Sequence, residues 1–413
     1  MRPREYLIPI YLWISASLLL HLLFASGTKV IADRVGSDRP RLLAQPGAGA
    51  PSVSEMEFEY PPEPPPPQSP AAPPLPSPQQ QQRQAARRER TPPPADCAVS
   101  APDADTDEAR QLAAEGAEAI RRGELAVVVL AGGMATRYGS VVKALAPLNT
   151  PGKERFLDVK LADVARWSGS VRAALMTSFA THDLIAAALV DEPPPGAGTI
   201  TLAPQFVSLR LTPEGEIFLT DEGVPSPYAT GHGDLPQALA AAGTLATWRA
   251  AGVRTVLVSN VDNLGATIDP TLYAMHRRSG AQVSVELVEK QGGDRGGLPV
   301  LHDGRLVLAE TFRLPAGFPD REFPLFNTNT LWIDLDAIEA QHPWTWCAAR
   351  KTVEGRDAIQ FERLIGELTW WFETRYLHVT REGASSRFLP IKEYDDLERN
   401  HDALVAMIAA QRG

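Results

Sequence analysis

LAVVVLAGGMATRYGSVVKAL, the sequence of residues 125–145, decides the fold of this chain. The stretch opens with an unbroken apolar run that is short and rich in valine, which is typical of a strand buried on both faces of a parallel sheet. Gly132 and Gly133 then allow a sharp turn and leave peptide N–H groups that can bind phosphate oxygens. Arg137 and Lys143 follow, so a polyanion over the glycines would meet two cations. An ordinary glycine turn with two surface cations is the alternative.

Composition limits the classes of function. The chain has 413 residues, of which 44% are hydrophobic, and a formal net charge of -10, so it can bury a large α/β core. An acidic chain without a basic stripe is poorly suited to nucleic acid, so we expect no nucleic-acid partner and a few placed cations for any phosphate. Cys97 and Cys347 have neither metal-ligand spacing nor the pattern of a disulfide framework.

The N-terminal segment predicts a membrane anchor. Residues 6–25, YLIPIYLWISASLLLHLLFA, are about long enough to cross a bilayer as a helix and contain no Asp, Glu, Lys or Arg. A cleaved signal peptide is the alternative, because small residues follow the apolar run. Basic residues are more frequent just after this segment than before it. By the positive-inside rule, we expect a single-pass inner-membrane protein whose C-terminal part lies in the cytoplasm.

Residues 26–103 predict a linker. They include PPEPPPPQSPAAPPLPSPQQQQ, and proline at this density removes backbone donors and favours extended polyproline II, so we expect a disordered, semi-rigid spacer. Ser17 and His21 of the anchor, together with this tract, resemble the anchor of TonB-type energy transducers, which implies a proton-driven partner for the pair. That resemblance would place the next domain in the periplasm, whereas the basic residues favour the cytoplasm.

Helices and strands alternate from residue 104 onward, which predicts an α/β domain over 104–413 with a doubly wound sheet. Ligands of such sheets bind at the carboxyl ends of the strands, and Asn260 and Asp262 follow one predicted strand directly. The predicted helices are 105–123, 181–190 and 236–251, and the predicted strands are 125–131, 171–179, 199–203, 255–259 and 282–288.

Four motifs resemble those of one enzyme family. They are LAGGMATRYGSVVKAL (130–145), VSNVDNLGAT (258–267), LFNTNTLW (325–332) and RFLPIK (387–392). In this order they resemble the UDP-sugar pyrophosphorylases, and most closely the UTP–glucose-1-phosphate uridylyltransferase family. The resemblance implies a nucleotidyltransferase fold, GT-A or Rossmann-like, with a mixed sheet and helices on both faces. It also implies UTP and a sugar 1-phosphate as substrates and UDP-glucose and pyrophosphate as products.

The implied reaction needs charge neutralisation more than a base. The sugar phosphate is already anionic when it attacks the α-phosphorus of UTP in line, so the site should contain a divalent cation and several basic side chains. By resemblance, Asp262 holds Mg²⁺, which binds through one or two carboxylates plus phosphates. Lys392 contacts the phosphates of both substrates, and Arg137 and Lys143 hold the β- and γ-phosphates. Helix capping by Asp262 and a surface position for Lys392 are the alternatives.

The resemblance also assigns the organic parts of the substrates. Uridine recognition is expected from Gln205 and the GHGD turn, where His232 is equally well interpreted as a structural turn residue. The implied nucleotide-binding residues are Leu130, Ala131, Gly132, Gly133, Gln205, Gly231 and His232, and the implied sugar-binding residues are Asn260, Glu286, Gly296, Gly297, Asn327 and Asn329. Glu286 is alternatively an outward residue of an alternating strand.

The chain also departs from the family pattern. Ala135 replaces the usual third glycine of the loop and narrows the allowed backbone angles there. Eukaryotic members continue into a C-terminal β-helix that mediates oligomers, so for this chain we expect a monomeric catalytic domain. Two other functions stay open: the same chemistry on N-acetylglucosamine or galactose 1-phosphate, and a non-catalytic sensor of nucleotide sugars.

Overall fold

The computed structural model describes residues 93, 96–135, 141–194, 200–292, 294, 296–314, 318, 323–383 and 385–412. The predicted anchor, nearly all of the predicted linker, and Arg137 lie outside the described residues. No helix in the described ranges is long and apolar enough to cross a membrane.

The elements are labelled in chain order. The strands are β1 Val99–Ser100, β2 Leu125–Leu130, β3 Met134–Ala135, β4 Val141–Val142, β5 Arg172–Thr177, β6 Ile200–Pro204, β7 Val207–Leu209, β8 Pro227–Ala229, β9 Thr255–Asn260, β10 Val283–Glu289, β11 Gly297–His302, β12 Arg305–Glu310, β13 Leu325–Asp334, β14 Cys347–Val353, β15 Arg356–Glu362 and β16 Thr374–His378. The helices are α1 Asp107–Arg121, α2 Phe156–Ala165, α3 His182–Asp191, α4 Leu235–Ala241, α5 Thr244–Ala250, α6 Pro270–Ser279, α7 Leu335–Glu339, α8 Leu368–Trp371, α9 Tyr394–Arg399 and α10 His401–Arg412.

A mixed sheet of eight strands forms the centre of the fold, in the order β1-β16-β10-β13-β9-β2-β5-β6. Every pairing is parallel except the two made by β13. Leu130 at the end of β2 lies opposite Asn260 at the end of β9. The expectation of a mixed α/β sheet with polar motifs meeting at one edge is therefore confirmed.

The central strand β2 is buried on both faces, as its apolar run predicts. Val127 and Val129 belong to the core cluster on one side of the sheet, whereas Ala126 and Val128 belong to the cluster on the other side. Alternating side chains of a strand point to opposite faces, so a continuous apolar run marks a strand covered by two layers of helices.

One predicted helix and the predicted start of the folded domain differ substantially from the structure. The predicted helix 236–251 is two helices, α4 and α5, because Gly243 between them adopts a left-handed conformation with φ 69°, which ends the first helix. The folded part also begins before the expected boundary at 104, since Val99 of β1 pairs with Leu377 of β16. Cys97, expected in the linker, packs against the core.

Two hairpins outside the main sheet flank its carboxyl edge, and neither was predicted. They are β7–β8 and β14–β15, and they are joined where Leu211 and Ile359 exchange both backbone hydrogen bonds, at 3.0 and 2.7 Å. The connection brings Ala229 and Glu362 to the rim of the same cleft.

Candidate active site

A cleft of about 570 Å³ opens at the carboxyl edge of the sheet and continues into a side chamber of about 160 Å³. His232, Asn260, Asp262 and Lys392 line both spaces. The cleft is further lined by Leu130, Gly132, Gly133, Lys143, Gln205 and Gly231, and the side chamber by Gly296, Gly297, Asn327 and Asn329, all predicted from the sequence as site residues. Residues as far apart in the chain as Leu130 and Lys392 therefore converge on one concavity.

The glycine turn after β2 is shaped by close packing. A Cβ on Gly132 would lie 2.4 Å from Oε1 of Gln205, so only glycine lets this side chain approach the backbone. The Ser178 hydroxyl donates to the Gly132 carbonyl at 2.8 Å, and the Thr181 hydroxyl donates to the Ala131 carbonyl at 3.1 Å. Thr181 occupies the N-cap of α3 without capping it; its hydroxyl instead fixes the turn.

Ala131 differs from the other predicted nucleotide residues in that it does not line the cleft. Its N–H donates to the Met176 carbonyl at 2.8 Å, and its carbonyl is occupied by Thr181. Both backbone groups are thus bonded inside the protein, and the residue's place is structural in this geometry.

Asp262 and Lys392 are brought together by backbone pairing between two distant segments. The Ile391 N–H donates to the Asp262 carbonyl at 3.0 Å, and the Leu264 N–H donates to the Leu389 carbonyl at 3.2 Å. Nζ of Lys143 donates to the Lys392 carbonyl at 3.3 Å. Two lysines and one carboxylate therefore meet beside the glycine turn.

The electrostatics of Asp262 suit a cation site shared with a ligand. Burial raises the pKa of Asp262, while the ammonium groups of Lys143 and Lys392 favour its ionised form. The described residues contain no group of three or more His, Cys, Asp or Glu side chains that could enclose a metal. A lone carboxylate fits Mg²⁺, which takes its remaining oxygens from phosphates and water.

His232 faces the cleft as a neutral hydrogen-bond donor. Its Nδ1 accepts the Ile365 N–H at 3.0 Å, so Nε2 carries the proton of the neutral ring. Burial lowers the pKa of His232 to about 4, which keeps the ring uncharged near neutral pH. The preceding Gly231 has φ 95°, and a Cβ there would lie 2.5 Å from the Arg363 carbonyl oxygen. An ion pair between Arg363 and the buried Asp234 further stabilises the turn.

Three asparagines that line the cleft or the side chamber are linked by hydrogen bonds. Nδ2 of Asn329 donates to Oδ1 of Asn260 at 2.9 Å, and Oδ1 of Asn327 accepts the Asn329 N–H at 2.9 Å. Asn329 adopts φ 56°, a left-handed conformation that asparagine tolerates better than most residues. With these bonds made, the amide groups of Asn260 and Asn327 keep N–H donors for a ligand.

Glu286, predicted to bind the sugar, instead lies in the core. It is fully buried, and its carboxylate is held by Arg387 at 2.6 and 3.0 Å and by the Trp332 indole at 2.9 Å. It lines neither the cleft nor the side chamber. Because this carboxylate is buried and bonded to two side chains, the geometry gives it a structural position and does not support the assignment to the sugar.

Glu310 is the carboxylate that the sequence prediction missed. It ends β12 and lines the side chamber, and its Oε1 would lie 3.0 Å from a Cβ on Gly297. The available signal was an acidic residue at the end of the apolar strand RLVLAE.

Glu310 should make stability fall as pH rises. Burial raises the pKa of Glu310 to about 7 from an ordinary 4.5, so between these values the unfolded chain has lost a proton that the folded protein keeps. The resulting loss of folding free energy is complete above pH 7 and amounts to roughly 3 kcal/mol. We expect Glu310→Gln to raise Tm at pH 8 and to have little effect at pH 4.5. Exposed Glu214→Gln is the control, and equal Tm differences at both pH values would contradict the prediction.

A known family matches most of this chain. The family model described as UTP–glucose-1-phosphate uridylyltransferase matches residues 78–408. The UTP–glucose-1-phosphate uridylyltransferase 2 of Dictyostelium discoideum is 27% identical over 305 residues, which cover 66% of this chain and 57% of the relative. The chain therefore spans little more than half the length of the curated relatives it matches.

Solved structures share the fold. A variant of the UDP-glucose pyrophosphorylase from Leishmania major, in complex with UDP-glucose, aligns with a TM-score of 0.60 at 24% identity, covering 77% of this chain and 73% of that one. The UDP-N-acetylglucosamine pyrophosphorylase from Trypanosoma brucei aligns with a TM-score of 0.63 at 18% identity, covering 77% and 74%. The expectation of a nucleotidyltransferase fold is confirmed.

Proposed function

The chain belongs to the UTP–glucose-1-phosphate uridylyltransferase family, and we propose that it makes UDP-glucose and pyrophosphate from UTP and glucose 1-phosphate. The observation that carries the proposal is the gathering of Asp262, Lys143 and Lys392 beside the Gly132 turn in one cleft. A nucleotide-binding module needs a pocket, but two cations and a carboxylate around one point are suited to charge that moves between two phosphates.

Different residues of the cleft contact different parts of the substrates in this proposal. Peptide groups of the glycine turn and the Gln205 amide recognise the nucleoside end, where hydrogen bonds to the base edge give specificity. Lys143 and Lys392 neutralise the phosphates, and the Nε2–H of His232 offers an uncharged donor for uridine recognition. The attacking sugar phosphate is already anionic, so none of these groups has to act as a general base.

A magnesium ion fits the Asp262 side of the cleft. Asp262 would hold it through its carboxylate, and phosphate oxygens would complete its coordination. When bound, the ion supplies positive charge that stabilises the developing pyrophosphate. Lys143 and Lys392 each favour the ionised form of Asp262 and so oppose the burial that raises its pKa.

The side chamber is the proposed sugar site. Asn260 and Asn327 offer N–H donors, and Glu310 offers carboxylate oxygens, which accept hydrogen bonds from hydroxyl groups. A pyranose presents hydroxyl groups around its ring, so a chamber with both donors and acceptors matches it. Glu310 replaces Glu286 in this proposal.

Release of pyrophosphate tests the function. The purified protein, given UTP, glucose 1-phosphate and Mg²⁺, should release pyrophosphate and form UDP-glucose, and chelation of the metal should stop the reaction. Glucose, galactose and N-acetylglucosamine 1-phosphates compared in one kinetic assay would rank the sugars. If none of these sugar phosphates leads to pyrophosphate release, the proposed enzymatic activity is refuted. Calorimetry that shows tight UDP-glucose binding without turnover would favour the non-catalytic sensor.

The location of the protein is proposed from the sequence and the substrate. We place residues 6–25 in the inner membrane as a single-pass anchor and the catalytic domain in the cytoplasm, because UTP is a cytoplasmic metabolite and basic residues follow the segment. A reporter that is active only after export, fused at residue 95, should give no signal. Strong reporter activity would reverse the topology.

A further inference from the structure

A buried lysine lies beneath the turn that carries Asp262. Lys160, on α2, is 5% exposed. Its ammonium donates to the Ala266 carbonyl at 2.7 Å and to the Ser259 hydroxyl at 3.0 Å. Both acceptors are neutral, although moving an ammonium ion out of water is costly unless charge nearby compensates for it.

The two acceptors bracket the functional turn. Ser259 lies just before Asn260 on β9. Ala266 follows residues 260–263, which line the cleft and the side chamber. Both are buried, at 1% and 4% exposure. One ammonium group therefore ties the start of the turn to its end, and every residue of the turn that lines the cleft lies between the two ties.

The same face of α2 continues to hold the chain beyond the turn. Asp163, one helical turn after Lys160, accepts the Ile268 N–H at 2.6 Å and pairs with Arg166 at 2.8 Å. Residues three and four apart share a helix face. Helix α2 thus fixes the turn and its exit as one unit.

The charge of Lys160 also acts on Asp262. Burial lowers the pKa of Lys160 to about 8, and Asp163, Asp262 and Glu286 are the acidic groups whose fields favour its charged form. A neutral amide could bond both acceptors without burying an ion. The positive charge of the buried Lys160 adds an electrostatic attraction on the Asp262 carboxylate.

We propose that Lys160 is a positioning residue, which ties the two ends of the 260–265 turn and holds Asp262 oriented for the divalent cation that accompanies UTP. The inference rests on the proposed function, because it assumes that Asp262 meets a cation and UTP. Partners that orient metal ligands typically change metal affinity by about 10- to 100-fold when they are removed. Lys160 touches neither the metal nor the substrate in this arrangement.

Metal-dependent nucleotide binding tests the role in the full chain. The affinities for Mn²⁺–UTP and for UTP with EDTA are measured by calorimetry, and their ratio reports the metal contribution. Lys160→Met is expected to lower this ratio by about 10- to 100-fold and to leave metal-free UTP binding within about twofold. Ser259→Ala removes one tie and keeps the charge, so a fall of about two- to tenfold is expected.

Arg277→Met is the matched control. It removes a long basic side chain bonded to Glu124 and Tyr273 at 2.8 and 3.3 Å, beside the N-terminal end of β2. It should lower Tm without changing the binding ratio. A Lys160→Met protein that melts earlier but keeps the wild-type ratio would show a purely structural lysine and overturn the proposal.

The remaining outcomes are also decisive. If Lys160→Met does not fold, a folded Ser259→Ala protein with an unchanged ratio overturns the proposal, and a lowered ratio supports it. If the wild-type protein binds neither form of UTP, the proposed function fails and this inference fails with it. If the wild type binds both forms and releases pyrophosphate while the variants keep its ratio, only the role of Lys160 is refuted.

Discussion

Replacing Lys392 by methionine should lower kcat/KM for pyrophosphate release by about 10²- to 10³-fold, the usual effect of removing one group that stabilises transition-state charge. Its side chain is exposed and lines both the cleft and the side chamber. Its backbone makes the structural bonds, with the carbonyl accepting from Lys143 and the N–H donating to Asp396 at 2.7 Å. Methionine keeps most of the length of the side chain and removes the ammonium group, with its charge and its hydrogen-bond donors, from an exposed position, so the protein should fold normally.

The kinetic pattern distinguishes catalysis from substrate attraction. A lysine that acts on the moving charge should lower kcat strongly, whereas one that only attracts anions should raise KM and leave kcat unchanged. Lys153→Met, at an exposed lysine of the loop before α2, is the matched control and should retain activity. A fall in kcat/KM below tenfold for Lys392→Met would remove this residue from the proposed mechanism.

Replacing Arg387 by methionine should lower the free energy of unfolding by about 3–5 kcal/mol, as expected when one partner of a buried ion pair is removed. Arg387 is 6% exposed and holds both carboxylate oxygens of the fully buried Glu286. It also donates to the carbonyl and hydroxyl of Thr267 at 2.9 and 3.1 Å. Without the guanidinium, the Glu286 carboxylate would keep the Trp332 indole as a hydrogen-bond donor among the residues that the structure describes.

Denaturant unfolding of single and double variants measures this pair. Glu286→Gln removes the charge that Arg387 compensates for, so adding it to Arg387→Met should cost less than the sum of the two single changes. Arg399→Met breaks an exposed ion pair with Asp396 and should cost at most about 1 kcal/mol. An Arg387→Met protein within 1 kcal/mol of the wild type would show that Glu286 does not depend on this partner.

Local pattern was sufficient for much of the fold. The apolar run that became β2 lies in the middle of the sheet because valine-rich strands without polar positions need cover on both faces. The positions of Gly132 and Asp262 in the cleft also followed from motifs at strand ends, since parallel strands deliver their carboxyl ends to one edge, whereas Lys392 was placed there by the family motif RFLPIK. The roles of these residues stay predictions until the variants are measured.

Two acidic residues show where pattern alone was insufficient. Glu286 and Glu310 both lie on strands, and the sequence favoured Glu286. In the structure Glu286 faces Arg387, a residue 101 positions away, while Glu310 faces the side chamber. Which of two carboxylates is neutralised by a partner and which remains available depends on contacts between distant segments, and no local period encodes these contacts.

The sequence by itself indicated an α/β fold, a valine-rich central strand, the glycine turn after it and the polar side chains that follow β9, because these features depend on neighbours along the chain. Tertiary structure alone decided the joining of the two hairpins through Leu211 and Ile359, the burial of Lys160, and the pairing of Glu286 with Arg387. The physical reason is that desolvation and ion pairing depend on distance in space, and the residues that make these contacts lie far apart in the chain.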